Sequence, residues 1–270
     1  MHLTLFQVDA FTDEVFRGNP AAVMPLPDWL PDDLLQAFAA ENNLSETAYF
    51  VPSLDDDADF ELRWFTPVTE VDLCGHATLA SAHVLLNEME EPYDAIRFRS
   101  QSGILTVRRL PDGRLAMDFP ARPPVLVEDR KLLGEVSFAL GKTPECLMKA
   151  RDLVAVFQDA SEVRALEPDF AAIAALDCFA LVATASGDED GLDFVSRYFA
   201  PAQGVPEDPV TGSAYSTLAP YWGRRLDQSN MVAEQASLRG GLLWLTFDPG
   251  SDRVEIAGHA VTYLRGTVEV

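Results

Sequence analysis

The chain has 270 residues, with 20 Lys+Arg against 43 Asp+Glu and a formal net charge of −23. Such a balance provides no cationic stripe to displace phosphate counterions and would be repelled by an anionic membrane surface, which excludes nucleic-acid and membrane-surface binders. Apolar residues make up 48% and charged residues 23%, an ordinary globular composition. No apolar run reaches the roughly 18 residues of a membrane helix. The N-terminus MHLTLFQVDAF has no cationic start and carries Asp9, so a signal peptide is not expected. Three scattered cysteines, Cys74, Cys146 and Cys178, argue against a disulfide framework, and a cytoplasmic location is expected.

Taken in chain order, alternating or apolar runs bounded by turn residues predict strands at 3–11 and 21–25, then a surface helix at 31–42 with acidic residues in its first turn. Strands follow at 47–51 and 60–65. The segment 75–86 (GHATLASAHVLL) holds no Lys, Arg, Asp or Glu, which predicts a helix buried on all sides. Further strands are expected at 95–99, 104–110 and 114–119, the last two joined by the turn Pro111-Asp112-Gly113. The second half continues with strands at 154–158 and 178–183 around a helix at 167–176, and a strand at 194–199. A second uncharged segment, 212–223 (GSAYSTLAPYWG), predicts a second buried helix. Strands at 231–237, 242–247, 254–257 and 262–270 complete a sheet-dominated α+β protein.

The two buried segments repeat each other. Trp64-Phe65-Thr66-Pro67 precedes the first and Tyr198-Phe199-Ala200-Pro201 the second. Asp72-Leu73-Cys74-Gly75-His76-Ala77 is then matched, with an insertion, by Asp208-Pro209-Val210-Thr211-Gly212-Ser213-Ala214. This common order predicts an internal duplication. Two halves are expected, 1–119 and 125–261, joined by the stiff sequence PARPP at 120–124, with a ligand cleft between them.

Glycines at the helix starts, Gly75 and Gly212, admit close approach by a ligand, and the unpaired N–H groups there suit a carboxylate. From spacing alone this cradle and simple tight packing stay equally open. Glu46 precedes an apolar run, where partial desolvation would suit it to general acid–base work; an exposed strand-edge glutamate is the plainer alternative. His76 stands beside Gly75, and Asp208 precedes the second helix. His83, inside a buried segment, reads as a satisfied core histidine. There is no HExxH, CxxC, GxGxxG, GxxxxGK or GxSxG, so no metal and no nucleotide cofactor is expected.

Four segments together, VDAFTDEVFRGNPAAV (8–23), NLSETAYF (43–50), LRWFTPVTEVDLCGHATLASAHVL (62–85) and EDPVTGSAYSTLAPYW (207–222), resemble the PhzF-like family, named for the phenazine-biosynthesis isomerase, within the diaminopimelate-epimerase-like fold. The resemblance implies two pseudo-symmetric domains, each a mixed β-sheet barrel around a central buried α-helix. In such folds the C-terminal strand often returns to the first domain, which would place 262–270 there. It implies that Glu46 is the catalytic acid/base, with Asp208 and His76 also in the catalytic set. Ser45, Gly75, Gly212 and Ser213 are implied to bind substrate. The implied activity is a cofactor-independent isomerisation that moves a proton between carbons of a small cyclic or unsaturated carboxylic acid, as with trans-2,3-dihydro-3-hydroxyanthranilate, in a homodimeric enzyme. Two alternatives stand beside it. One is an epimerase or racemase using Cys74 with a carboxylate, since a two-thiol mechanism lacks a cysteine at the second helix start. The other is a non-catalytic small-acid binding protein.

Overall fold

The computed structural model describes residues 1–270 as two compact units, Met1–Asp118 with Ala257–Val270, and Phe119–Ile256. In the first, β1 (His2–Ala10) pairs antiparallel with β2 (Asn19–Pro25), and α1 (Asp32–Asn42) crosses over to β3 (Glu46–Pro52), which runs parallel to β2. β4 (Phe60–Phe65) is antiparallel to β3 and carries the two-residue β5 (Glu70–Val71) on its edge. After α2 (Gly75–His83) the chain returns as β6 (Ala95–Ser100), parallel to β4, then β7 (Gly103–Arg109) and β8 (Leu115–Pro120) as antiparallel neighbours. The C-terminal strand Ala260–Glu269 pairs antiparallel along the whole of β1.

This curved sheet wraps α2, which packs against β1, β2, β3, β7 and the C-terminal strand. Every residue of α2 is buried, so its lack of charge follows from its position. Its hydroxyls are satisfied inside the helix: Thr78 Oγ1 donates to the Cys74 carbonyl and Ser81 Oγ to that of Ala77. The helix runs on as a π-helical turn, Val84–Glu88. α1 lies on the other face of the sheet, where Leu35, Phe38 and Ala39 pack with Tyr49, Val51 and Phe65.

The second unit opens with β9 (Val125–Val127) and α3 (Arg130–Leu140). Asp129 caps α3 by accepting from the N–H groups of Lys131 and Leu132, and Gly141, at φ 69°, ends it. β10 (Cys146–Lys149) pairs antiparallel with β9 and with β11 (Leu153–Val156). The short helices α4 (Ala160–Arg164) and α5 (Phe170–Ala174) cross over to β12 (Leu181–Ser186), parallel to β11. β13 (Phe194–Ala200) is antiparallel to β12 and bears the short β14 (Val205–Asp208). α6 (Tyr215–Leu226) then leads to β15 (Asn230–Gln235), parallel to β13, and β16 (Leu242–Thr246), antiparallel to β15. β17 (Arg253–Gly258) precedes the C-terminal strand, β18.

The order of pairings in the second unit repeats that in the first: parallel pair bridged by helix, antiparallel strand, short edge strand, buried helix, parallel strand, antiparallel strand. The duplication expected from the aromatic-Phe-X-Pro motifs is therefore a structural repeat. α6 keeps Pro220 in its interior, which leaves the Ser216 carbonyl without its helical donor; the Arg122 N–H fills that place at 2.8 Å. Trp222 on α6 stacks on Phe194 and donates to Thr184 Oγ1 at 3.0 Å.

Some elements differ from the sequence expectation. β5, β9, β10 and β14 are too short to show a period, and α3 was not anticipated. The helix expected at 167–176 shrinks to the five residues of α5. The second buried helix begins with a 3-10 turn, Gly212–Ala214, and extends beyond 223 through the charged Arg224 and Arg225.

Candidate active site

Three elements of the first unit bring their ends together. The loop before β2 takes φ 63° at Phe11, 72° at Phe16 and 61° at Gly18. A Cβ on Gly18 would lie 2.2 Å from the Ala10 carbonyl oxygen, so only glycine allows this turn. The buried carboxylate of Asp9 accepts from the Phe16 N–H at 2.8 Å and holds the loop from inside. The result is that Asn19 enters β2 with its side chain fully buried.

The second element is β3. Asn43 ends α1 in the left-handed conformation, with φ 50° and its N–H bonded to Ala39, and the chain bends through Leu44 and Ser45 into Glu46. Asn42 Nδ2 donates to Thr47 Oγ1 at 3.2 Å, which fixes the strand start. Glu46 is the first residue of β3, opposite Ala21 of β2. Ser45, half-buried, occupies the bend beside it.

The third element is α2. Cys74 is its N-cap in extended conformation, with no side-chain cap bond and no acidic residue in the first turn. Gly75 opens the helix, and His76 follows with its side chain 5% exposed. His76 Nε2 lies 3.2 Å from Glu46 Oε2. His76 Nδ1 lies 3.2 Å from Asn19 Nδ2 and 3.5 Å from Cys74 Sγ. The Glu46–His76 approach is off the hydrogen-bonding direction, so both buried atoms lack a hydrogen bond. Sequence reasoning singled out Glu46, His76 and Cys74; the structure brings them together and adds Asn19. That residue lay within the GNPAAV motif, but only its partner reveals its place.

The electrostatics of the cluster are set by burial and by Glu46. Burial acts to lower the basicity of His76, but its interactions with Cys74 and Glu46 outweigh it and raise its pKa well above 6.5. Burial, reinforced by the Glu46 charge, pushes the Cys74 thiol up to about 11. A neutral thiol is therefore the resting state of Cys74.

In the second unit, Glu207 and Asp208 have separate fates. Glu207 is engaged by Arg197 in a bidentate pair at 2.7 and 2.9 Å. Asp208, at the end of β14 and half-buried, accepts from Thr211 Oγ1. Fully buried Gln235 clamps this loop: its Nε2 donates to the Asp208 carbonyl and its Oε1 accepts from the Thr211 N–H, each at 2.8 Å. Ser237 Oγ donates to the Pro209 carbonyl at 2.8 Å. Gln235 and Ser237 carried no signal in the sequence, since they lie on β15 and the turn after it. Gly212 and Ser213 form the 3-10 turn into α6, with Thr211 at its N-cap. Thr211 thus occupies the place that Cys74 has at α2.

His83, also on α2, belongs to no such cluster. Its Nε2 is 2.9 Å from Thr262 Oγ1, and its Nδ1 accepts from Asn87 Nδ2 at 2.9 Å. It is a satisfied core histidine.

Residues 8–266 match the family described as phenazine biosynthesis-like protein. An uncharacterised isomerase of Pseudomonas aeruginosa is 49% identical over 270 residues, which is 100% of both chains. The crystal structure of a PhzF-family phenazine biosynthesis protein from Enterococcus faecalis superposes with a TM-score of 0.93 at 44% identity, again over 100% of both chains. A hydroxyproline epimerase from Agrobacterium vitis shares the fold, with a TM-score of 0.60 at 13% identity over 99% of this chain and 92% of its own. No helix is long and apolar enough to cross a membrane.

Proposed function

The chain belongs to the phenazine biosynthesis-like (PhzF) family of isomerases, and from that premise we propose that it moves a proton between carbon atoms of a small cyclic or unsaturated carboxylic acid, with Glu46 as acid and base and no cofactor. The observation that carries this reading is the 3.2 Å approach of Glu46 Oε2 to His76 Nε2, two buried atoms without hydrogen bonds at the start of an uncharged helix. A buried ion pair whose atoms make no aligned hydrogen bond recovers only part of its desolvation cost. A substrate that offers a C–H proton to Glu46 and an anionic oxygen to His76 removes that cost.

In the proposed reaction a C–H bond conjugated with the substrate carboxylate breaks, and its electron pair spreads into that carboxylate. The proton goes to Glu46. His76, held cationic by its neighbours, and the free N–H groups at Gly75 and His76 meet the negative charge as it grows. Glu46 then returns the proton to a second carbon as the double bond shifts, so no atom is gained or lost. Asp208, Gly212, Ser213 and Ser45 are assigned to substrate binding on the strength of the family's motifs, and a homodimer in the cytoplasm is part of the same reading.

A Cys74-based racemase has less support. Its thiol is pushed away from ionisation, and the corresponding position at α6 is Thr211, which has no thiol to mirror it. The test is deuterium incorporation, followed by NMR in deuterated water, from a panel of unsaturated and amino-substituted small acids that includes dihydro-hydroxyanthranilate. Exchange is expected with the parent, with at least a roughly 100-fold loss in Glu46→Gln of unchanged circular dichroism. Full exchange in that variant overturns the role of Glu46. Binding of an acid with no exchange in the parent turns the assignment into a small-acid binding protein.

A further inference from the structure

We propose that Glu46, Cys74 and His76 form a binding site for a zinc-type divalent metal ion, and that the bound ion blocks proton transfer. The blocking rests on the function proposed above; the binding does not.

The sulfur, one imidazole nitrogen and one carboxylate oxygen all lie within 4.8 Å of one another. Tetrahedral zinc, with bonds of roughly 2.0–2.3 Å, separates its ligand atoms by roughly 3.3–3.7 Å. One contact at Nε2 already has about that length, His76 Nε2 to Glu46 Oε2 at 3.2 Å, whereas Cys74 Sγ lies 3.5 Å from the other ring nitrogen, Nδ1. Since one ion binds only one ring nitrogen, closing the set around Nε2 takes movement of the Cys74 sulfur toward it, by about 1 Å from the 4.8 Å limit of the set.

An independent feature points to a ligand here. Glu46 Oε2 and His76 Nε2 are buried and make no hydrogen bond, and His76 is 4% exposed. A cation takes a lone pair from each, that of Nε2 once its imidazolium proton has left. Asn19 at the other ring nitrogen then becomes the outer partner that orients a metal-bound imidazole, because its amide presents an oxygen once turned.

The donor set selects the metal. Sulfur, nitrogen and a single carboxylate suit borderline-soft ions such as Zn²⁺ and Co²⁺, whereas Mg²⁺ and Ca²⁺ require oxygen ligands throughout. Three protein ligands leave a fourth position for water or for a carboxylate of the substrate. The partial positive charge of the α2 start opposes a cation, but the Glu46 carboxylate and the Cys74 thiolate formed on binding contribute two negative charges against it. The net charge of −23 further raises the cation concentration near the protein. On binding, the S–H bond of Cys74 and the Nε2–H bond of the His76 imidazolium break, metal–sulfur and metal–nitrogen bonds form, and both protons leave to solvent without any redox change. The metal then holds the carboxylate oxygen that would accept the substrate proton.

The test titrates the chelator-treated full chain with Co²⁺ in the absence of any substrate and follows thiolate-to-cobalt charge transfer and the intensified visible bands of tetrahedral cobalt. Expected are one equivalent per chain, displacement by Zn²⁺, and loss of the charge-transfer band in Cys74→Ser. In Glu46→Gln, affinity should fall by more than the roughly 10–100-fold that loss of an outer-shell partner costs. The Cys146→Ser/Cys178→Ser double variant should behave as the parent. Absence of the band in the parent, or its persistence in Cys74→Ser, overturns the site. Zn²⁺ is then added to the deuterium-exchange assay, where one equivalent should stop exchange and a chelator restore it. Undiminished exchange with the metal bound overturns the blocking. A chain that binds cobalt through Cys74 but exchanges no acid leaves the metal site standing and removes the isomerase reading.

Discussion

At the scale of single residues, the arrangement around His76 explains why three separate motifs meet. An asparagine is suited to the Nδ1 edge because its amide has two ends: the nitrogen donates to a neutral ring, and the oxygen, after a half-turn, accepts from a protonated one. Asn19 can follow either state without leaving its buried position at the start of β2. Gly18 before it has no substitute, since the Ala10 carbonyl fills the space of a Cβ. Because its interactions with Cys74 and Glu46 overcome burial and raise the pKa of His76 well above 6.5, the imidazolium persists through neutral pH. The alkaline limb of a pH–rate profile governed by His76 therefore lies above the range of an ordinary histidine. In His76→Gln, kcat should fall by roughly 10–100-fold and that limb should vanish, since glutamine does not titrate. A limb that survives unchanged in the variant assigns it to another group. The sequence showed Glu46 and His76 through their motifs, but the Glu46–His76–Asn19 contact joins residues from three elements, and one chain read alone contains no signal for such a meeting.

The fastening of β18 to α2 belongs to the scale of elements. Thr262 on β18 receives His83 and donates to Glu88 Oε1 at 2.7 Å, and Arg265 on the same strand pairs with Glu88. His83 is buried neutral: desolvation, against the pull of Glu88, lowers its pKa from 6.5 to about 4. A histidine whose folded-state pKa is depressed exerts no effect above its unfolded value, and its cost grows as pH falls from 6.5 towards 4, where the unfolded chain binds the proton and the folded one does not. By pH 5 that cost is about 2 kcal/mol. His76 titrates in the opposite sense, so the comparison must be between variants. The stability difference between His83→Gln and the parent should shift by about 2 kcal/mol in favour of the variant between pH 7.5 and pH 5, read from urea unfolding. A pH-independent difference would show that His83 is charged in the folded chain. The absence of Lys, Arg, Asp and Glu from 75–86 announced α2 and its burial, because a charged side chain has no place inside the sheet. β5, β9, β10 and β14 were illegible for a plain reason: two to four residues do not establish a period of two. α3 is another case, for its signals, Asp129 before it and Gly141 after it, are in the sequence, and they go unused because no uncharged or strictly periodic face accompanies them.

Over the whole molecule, the repeat was legible because it is written twice in the same chemistry. An aromatic-Phe-X-Pro strand end and a Gly-led uncharged helix recur in one order, and the pairings β2–β3–β4–β6–β7 and β11–β12–β13–β15–β16 follow suit. The charge of −23 was legible as a number, but not its consequence for stability. With 43 acidic residues against 20 basic ones, the arginines are drawn into ion pairs: Arg63 with Glu70 and Asp32, Arg97 with Asp59, Arg164 with Asp188 and Glu234, Arg197 with Glu207. The acids in excess have no cation left to meet and repel one another, which burdens the compact state more than the expanded one. Salt screens both effects. Attractions across about 3 Å, several of them partly buried, are screened little, whereas repulsions over longer distances collapse as the Debye length falls from about 20 Å at 0.02 M to about 4 Å at 0.5 M. Sodium chloride over that range should therefore raise Tm by a few degrees, on the order of 1 kcal/mol, in a calorimetric scan at pH 7.5. A falling Tm would mean that the paired arginines, rather than the surplus of carboxylates, dominate the electrostatics of the fold.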